Sequence, residues 1–238
     1  MATKNITDPK DLMGGMLTFK VKLVFNGRVY GGLPKNPNTI RKFIEARSNQ
    51  GKLPEEFTPE QKEQVALEIE AAVDANGESE ASMTVFARDE RGLYVENRQL
   101  KALLKECASI LGKSWDVAAA KNKVAERVFV EEPKVYLVRA ADGVTVVTKA
   151  DGEHCAAIHV QTSQGPRSAL KMSEYVEGAQ LEFTVVALNE PLVTKTDKHK
   201  LHPTAYVEAL LKYGERIGIG KDRSQSQGTY TLVSVTQV

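Results

Sequence analysis

The chain has 238 residues and a mass of 26.2 kDa, and 42% of it is hydrophobic, enough to bury a core as one large domain or two small ones. No apolar run is long enough to cross a bilayer, and two isolated cysteines, Cys107 and Cys155, make neither a disulfide framework nor a zinc site, so both are expected to be reduced thiols. The formal net charge of +1 hides an asymmetry: the first fifty residues carry nine basic and three acidic side chains, whereas residues 51–90 carry three basic and eleven acidic ones, a distribution that points toward a polyanionic partner.

The polar start MATKNITDPKDL has no hydrophobic segment behind its charges, which predicts a flexible N-terminus over residues 1–13, no secretory signal and a cytoplasmic protein. MLTFKVKLVF (16–25) alternates apolar Leu17, Phe19, Val21, Leu23 and Phe25 with polar partners, the pattern of a half-buried strand. Pro37-Asn38-Thr39-Ile40 opens a short helix through about Ser48. Within the acidic stretch, Thr58-Pro59-Glu60 suits an N-cap followed by proline at the first helical position, and Asn76-Gly77 ends the helix. ASMTVFARD reads as a strand, GLYVENRQLKALLKECASILG as an extended approach to an amphipathic helix, and RVFVEEPKVYLVRA as a strand pair or one long strand. TVVTKA, AAIHVQ and QLEFTVVAL are three further strands. PTAYVEALLKYGERIG is a helix with Ala205, Val207, Leu210, Leu211 and Ile217 near one face, and TYTLVSVTQV closes the chain as a strand. This order predicts an α+β fold: a ferredoxin-like (RRM-like) antiparallel sheet with elaborations, one domain over residues 14–238, with 49–80 as a peripheral acidic helical insertion.

The segment GERIGIGKDRSQSQGTYTL (214–232) has a Gly-x-Gly-Lys core and must be tested as a phosphate loop. A Walker A loop needs four residues between its glycines and a Ser or Thr after the lysine; here five residues separate Gly214 from Gly220, and Lys221 is followed by Asp222. Gly218 and Gly220 lack the third glycine of a dinucleotide fingerprint. The polarity is also reversed, because a helix precedes this loop and a strand follows it, so no helix N-terminus faces an anion.

A helix, a glycine-rich loop with Lys221 and Arg223, Gly228 and a terminal strand remain. This arrangement resembles the RAMP superfamily, the RNA-binding and RNA-processing subunits of CRISPR effector complexes, whose ferredoxin-like domains carry a glycine-rich loop between the last helix and last strand. GLYVENRQLKALLKECASILG resembles another of its elements, an extended segment leading into a helix near a basic residue. LLKYGERIGIGKDRSQSQGTYTL is similar to the ends of small phage-encoded proteins, and departs from that pattern at Gln225, Ser226 and Gln227. The resemblance covers residues 16–48, 90–111 and 180–238. It implies a protein that binds single-stranded RNA or DNA and assembles head to tail as a homo-oligomer along the strand, in the cytoplasm of a bacterial host if phage-encoded; because no histidine is persuasive as a catalyst, the chain is read as non-catalytic.

The residues expected to hold phosphates are Arg28, Lys35, Arg41 and Lys42 after the first strand, Lys195, Lys198 and Lys200 in PLVTKTDKHKLHPT, and Lys221 and Arg223 in the loop, where neutralised phosphates release counterions. Tyr30 either stacks on a base or packs. The competing reading of the loop is structural: Gly218 and Gly220 end the helix in a left-handed cap and the two cations are solvated. An endoribonuclease using a histidine is the enzymatic alternative, with His154, His159, His199 and His202 as candidates; a phage structural or assembly protein is a third. His154 and His159 lie five apart on a strand, and His199 and His202 lie in a basic loop with Asp197 as the nearest carboxylate, so neither a catalytic set nor a metal site is expected, and no cofactor or membrane partner.

Overall fold

The computed structural model describes residues 15–34, 83–162, 165–196 and 199–238. The expected N-terminal tail, the helix beginning at Pro37 and the acidic insertion at 49–80 lie outside the described residues. The fold is mixed α+β, and the chain divides into two compact units: the first is Met1–Val29, Arg88–Lys149 and Val176–Val238, the second Tyr30–Ala87 and Ala150–Tyr175.

The first unit is built on an antiparallel sheet with strand order β15-β1-β12-β7. Its strands are β1 (Met16–Phe25), β7 (Val128–Val130), β12 (Ala179–Leu188) and β15 (Tyr230–Gln237), with the short β9 (Val138–Arg139) also pairing β12. Alternation in sequence becomes two faces in space: Phe19, Val21, Leu23 and Phe25 of β1 are buried with Leu181, Phe183, Val185 and Ala187 of β12, while Lys20, Lys22, Glu182 and Thr184 alternate with them on the opposite side. Three helices cover the apolar face: α1 (Asn97–Ser114), α2 (Ala120–Arg127) and α3 (Pro203–Ile217). Helix α1 contributes Leu100, Leu103, Leu104, Cys107 and Ala108, a stripe at helical spacing. Burial pushes the Cys107 thiol up to about 12, so it is an inert apolar side chain.

Helix α3 buries Tyr206, Val207, Leu210, Leu211 and Gly214. Its inward face is therefore rotated from the expected one, because the larger Tyr206 fills the core and leaves Ala205 exposed. Gly214 is required by packing: a Cβ there would stand 2.3 Å from the hydroxyl of buried Tyr230, which donates to the Leu211 carbonyl at 2.7 Å.

A second layer of this unit is the three-stranded sheet β5-β6-β8, from β5 (Ala87–Asp89), β6 (Gly92–Glu96) and β8 (Lys134–Tyr136). ASMTVFARD is thus two short strands, β4 (Met83–Val85) and β5. RVFVEEPKVYLVRA is β7, β8 and β9. TVVTKA is not a strand. The Asp142 carboxylate accepts from the backbone N–H of Val144 and Thr145 and from the Thr145 hydroxyl, which winds the chain into a turn and leaves a single bridge, Val138 to Val146.

The second unit holds a long antiparallel hairpin, β10 (Gly152–Thr162) and β11 (Gly165–Val176), paired from Gly152↔Tyr175 to Thr162↔Gly165. Strand β4 joins β11 in parallel, β3 (Leu33–Pro34) pairs β4, and β2 (Val29–Tyr30) pairs β11. Tyr30, 4% exposed, packs its ring 6.1 Å from Tyr175 and 5.8 Å from His154. It fills space rather than presenting a face to a base.

Candidate nucleic-acid interface

The glycine-rich segment is a pinched loop at the C-terminal end of α3. The helix stops at Ile217, and Gly218 takes φ 80°, ψ 170°, a region open essentially to glycine alone and different from the left-handed cap expected. Buried Ile219 then donates its N–H to the Gly228 carbonyl at 2.9 Å, closing a neck. A Cβ on Gly228, whose φ is 68°, would lie 1.8 Å from the Ile219 carbonyl oxygen. The neck exists because these strands of chain touch at their backbones. Beyond it, residues 220–227 fold on themselves: Gly220, Asp222 and Ser226 have positive φ, Arg223–Gln225 forms a 3-10 turn, and Gln225 and Ser226 donate back to Asp222 and Arg223.

The neck also gathers a residue distant in sequence. Gly228 donates its N–H to the Arg28 carbonyl at 2.9 Å, and Asn26 donates to Thr229 at 2.9 Å, so the turn after β1 lies against the loop. The backbone at Arg28 is thus hydrogen-bonded to the neck of the loop that carries Lys221 and Arg223. Lys221 is exposed and makes no ion pair among the described residues. Arg223 pairs through Nη1 with Glu106 of α1 at 2.7 Å, and Arg28 through Nε with Glu177 at 2.5 Å. These pairs are partly exposed and worth little in water. The α3 C-terminus aims the negative end of its dipole at the loop, so side-chain charge must supply all attraction for an anion.

The other expected residues are not brought here. Lys195 and Lys200 belong to the hairpin of β13 (Leu192–Val193) and β14 (Lys200–Leu201), which precedes α3. Fifteen residues of helix separate the two groups, about 22 Å at 1.5 Å per residue. Lys195 pairs with Asp116 at 3.3 Å, and Lys200 is exposed. Lys35, Arg41, Lys42 and Lys198 lie outside the described residues.

The histidines are dispersed. His202 caps α3, its Nδ1 accepting from the Thr204 N–H at 3.4 Å, His199 is exposed in the hairpin, and His154 and His159 are both on β10. Among the described residues, no three of His, Cys, Asp and Glu cluster as a metal site.

Two cations on the open face of the main sheet were missed. Lys20 donates to Thr184 Oγ1 at 2.8 Å, Thr184 in turn bonds Glu132, and Lys22 pairs with Glu182 at 2.8 Å. They line an open depression of about 390 Å³ with Ser234 and Thr236. The signal was present in MLTFKVKLVF, because alternation that buries Phe19, Val21 and Leu23 must turn Lys20 and Lys22 outward. Glu182 on β12 and Glu132 just after β7 leave this face close to neutral.

No family model and no curated protein matches the chain. Among solved structures it is similar to a chain in the cryo-EM structure of the Type III-B Cmr-beta bound to cognate target RNA, at 8% identity and a TM-score of 0.45 over 96% of this chain. It spans 63% of the length of that chain. No helix among the described residues is long and apolar enough to cross a membrane.

Proposed function

We propose that this is a non-catalytic protein that binds single-stranded RNA or DNA through the phosphate backbone, without reading sequence. The observation that carries the reading is that the Arg28 backbone bonds the neck, closed between Ile219 and Gly228, of the loop that bears Lys221 and Arg223. A fixed set of cations gives affinity through counterion release, which does not depend on bases. The first unit is read as a ferredoxin-like domain of RAMP type: β1, α1, β7, β12, α3 and β15 follow one another in the chain, and the sheet order β15-β1-β12-β7 is the order that fold has. The loop then occupies the place of the glycine-rich loop of that superfamily, between last helix and last strand. The same resemblance supports head-to-tail assembly along a strand, a phage origin and a bacterial cytoplasm; the strand pattern that resumes after the acidic helix supports one domain over residues 14–238 with a peripheral insertion at 49–80.

The test is fluorescence anisotropy of the purified protein with labelled single-stranded oligouridine and oligothymidine over a range of salt. Engagement of three phosphates gives a slope of log affinity against log salt of about −2, at roughly 0.7 per phosphate on a single strand. Absence of binding to both oligonucleotides at low salt removes the reading.

A further inference from the structure

Strands β5, β6 and β8 carry a second group of side chains that the phosphate-binding reading does not use. Tyr94 and Tyr136 are directly opposite one another in the β6–β8 pairing, with ring centroids 5.8 Å apart in an edge-to-face arrangement. The Arg91 guanidinium lies over the Tyr136 ring, 4.3 Å from its centroid, and the Lys134 ammonium lies over Tyr94 at 4.8 Å. Asp89 anchors the group: it accepts from Lys134 at 2.7 Å and from the Tyr136 hydroxyl at 2.9 Å, and its second oxygen accepts from the Arg91 backbone N–H at 3.0 Å. The Lys134 hydrogen bond is foremost in holding the Asp89 carboxyl down to about 2, so it stays ionised.

Arg91 is the informative member. Arg28, Arg98, Arg127 and Arg223 each pair with a glutamate, whereas the guanidinium of Arg91 makes no ion pair among the described residues and is positioned by the ring beneath it. It is exposed. A planar cation held over an aromatic ring by a contact of this kind leaves its outward side and edge donors available, and a guanidinium plane stacks on any nucleobase. Asp89 neutralises one of the two cations, so the group keeps a net positive charge suited to the phosphates flanking such a base.

We propose that Arg91, layered on Tyr136 and steadied by Tyr94, Lys134 and Asp89, stacks one unpaired base of a single strand. The inference deepens the proposed function and rests on it, but adds a contact to the base rather than to phosphate, and the two contacts separate experimentally. Arg91→Lys keeps the charge and removes the stacking plane. It should weaken binding of oligouridine or oligothymidine roughly fivefold or more, the low end of what one stacked base contributes, with the salt slope unchanged. An oligonucleotide made entirely of abasic sites should bind the wild type and Arg91→Lys equally. Tyr136→Phe, which keeps the ring and drops one bond to Asp89, should bind like the wild type, and far-ultraviolet circular dichroism should confirm that both variants fold. Equal affinity of Arg91→Lys and wild type for intact oligonucleotides overturns the stacking site and leaves the loop reading standing. A lower salt slope in Arg91→Lys, or loss of abasic binding, also overturns it, because Arg91 would then act on phosphate. Failure of the wild type to bind any single strand overturns both.

Discussion

The two ends of α3 carry the same kind of sequence and differ in what the backbone does with it. At the N-terminal end, Lys195 and Lys200 stand on a hairpin of two paired residues per strand. At the C-terminal end, Arg28, Lys221 and Arg223 stand around a neck where Ile219 bonds Gly228 and Gly228 bonds Arg28. The helix dipole favours anions at the first end and disfavours them at the second, by roughly 0.3–1 kcal/mol near an exposed terminus. Against that, a guanidinium offers five donors in a fixed fork, and each rotamer-rich side chain that must be immobilised on binding costs about 0.5–1.5 kcal/mol. On the proposed reading, a loop with Lys221 and Arg223, and Arg28 on the turn bonded to its neck, outweighs a better-placed dipole bearing two lysines. Density of positive charge in the sequence does not by itself mark a binding surface.

The largest expected effect comes from breaking the neck. Gly228→Ala places a Cβ against the Ile219 carbonyl and forces alanine into positive φ. The backbone must shift, and thermal unfolding should show a loss above the roughly 1–3 kcal/mol expected of a strained residue alone. Single-strand affinity should fall with it. A variant that melts like the wild type would mean that the neck is not rigid.

Next in size, Lys221→Ala with Arg223→Ala should flatten the salt slope by about 1.4, two phosphates at roughly 0.7 each, with equal losses for RNA and DNA. An unchanged slope makes the loop a structural cap. The same comparison sharpens in the opposite direction through Glu106, whose carboxylate sits 2.7 Å from Arg223. Glu106→Gln removes a charge that repels phosphate and competes for the guanidinium. Affinity should rise severalfold at low salt and converge on the wild type as salt increases, on the order of 1 kcal/mol or less for an exposed pair.

Much of this contrast could be read before the structure, and the limits have physical causes. β1, β12 and α3 announced themselves because one face of each element is buried, which imposes a period of two or 3.6 on apolar residues. Helix α2 did not, since AKNKVAER buries only Ala120 and Val124 and has no stripe to see. Strand β11 was missed for a related reason: GPRSALKMSEYV begins with Gly-Pro and lacks strict alternation, and it is held by continuous pairing to β10. Within the site, the loop residues were legible from their glycines. That Arg28 joins them was not, because it depends on which residues of β1 and β15 face each other, and a bulge between Lys22 and Leu23 shifts that register. The Arg91 group was equally hidden, as the Tyr94↔Tyr136 pairing spans two strands separated by both α1 and α2.

A smaller effect is expected from acid at the loop end. Burial alone would raise the Glu215 carboxyl, but hydrogen bonds from the Leu232 N–H at 2.7 Å and from Lys212 at 2.9 Å outweigh it and hold the group below its ordinary value. A depressed folded pKa means that the unfolded chain binds the proton more readily. The stabilisation is therefore complete above the unfolded value of about 4.3 and is lost as pH falls through the lower folded value. Glu215→Gln should remove this part of the acid dependence of melting temperature and leave the hairpin end untouched. A variant whose acid profile matches the wild type would show that this carboxylate does not hold β15 to α3.

The smallest effect belongs to the hairpin. Lys195→Ala with Lys200→Ala deletes as many charges as the loop double variant, yet Lys195 is already matched with Asp116 at 3.3 Å and Lys200 stands on a two-residue strand with no ion pair among the described residues to orient it. Removing Lys195 also unmasks the Asp116 carboxylate, so part of any loss reflects new repulsion rather than a missing contact. The third variant Asp116→Asn, added to the pair, corrects for that. With it in place, the salt slope should change by less than about 0.7, the value of a single phosphate, and affinity by less than in the loop variant. If the hairpin triple variant flattens the slope as much as the loop double variant, the strand runs along the whole length of α3 and the two ends form one surface. If it flattens the slope more, the binding surface is the hairpin, and the glycine neck serves the fold alone.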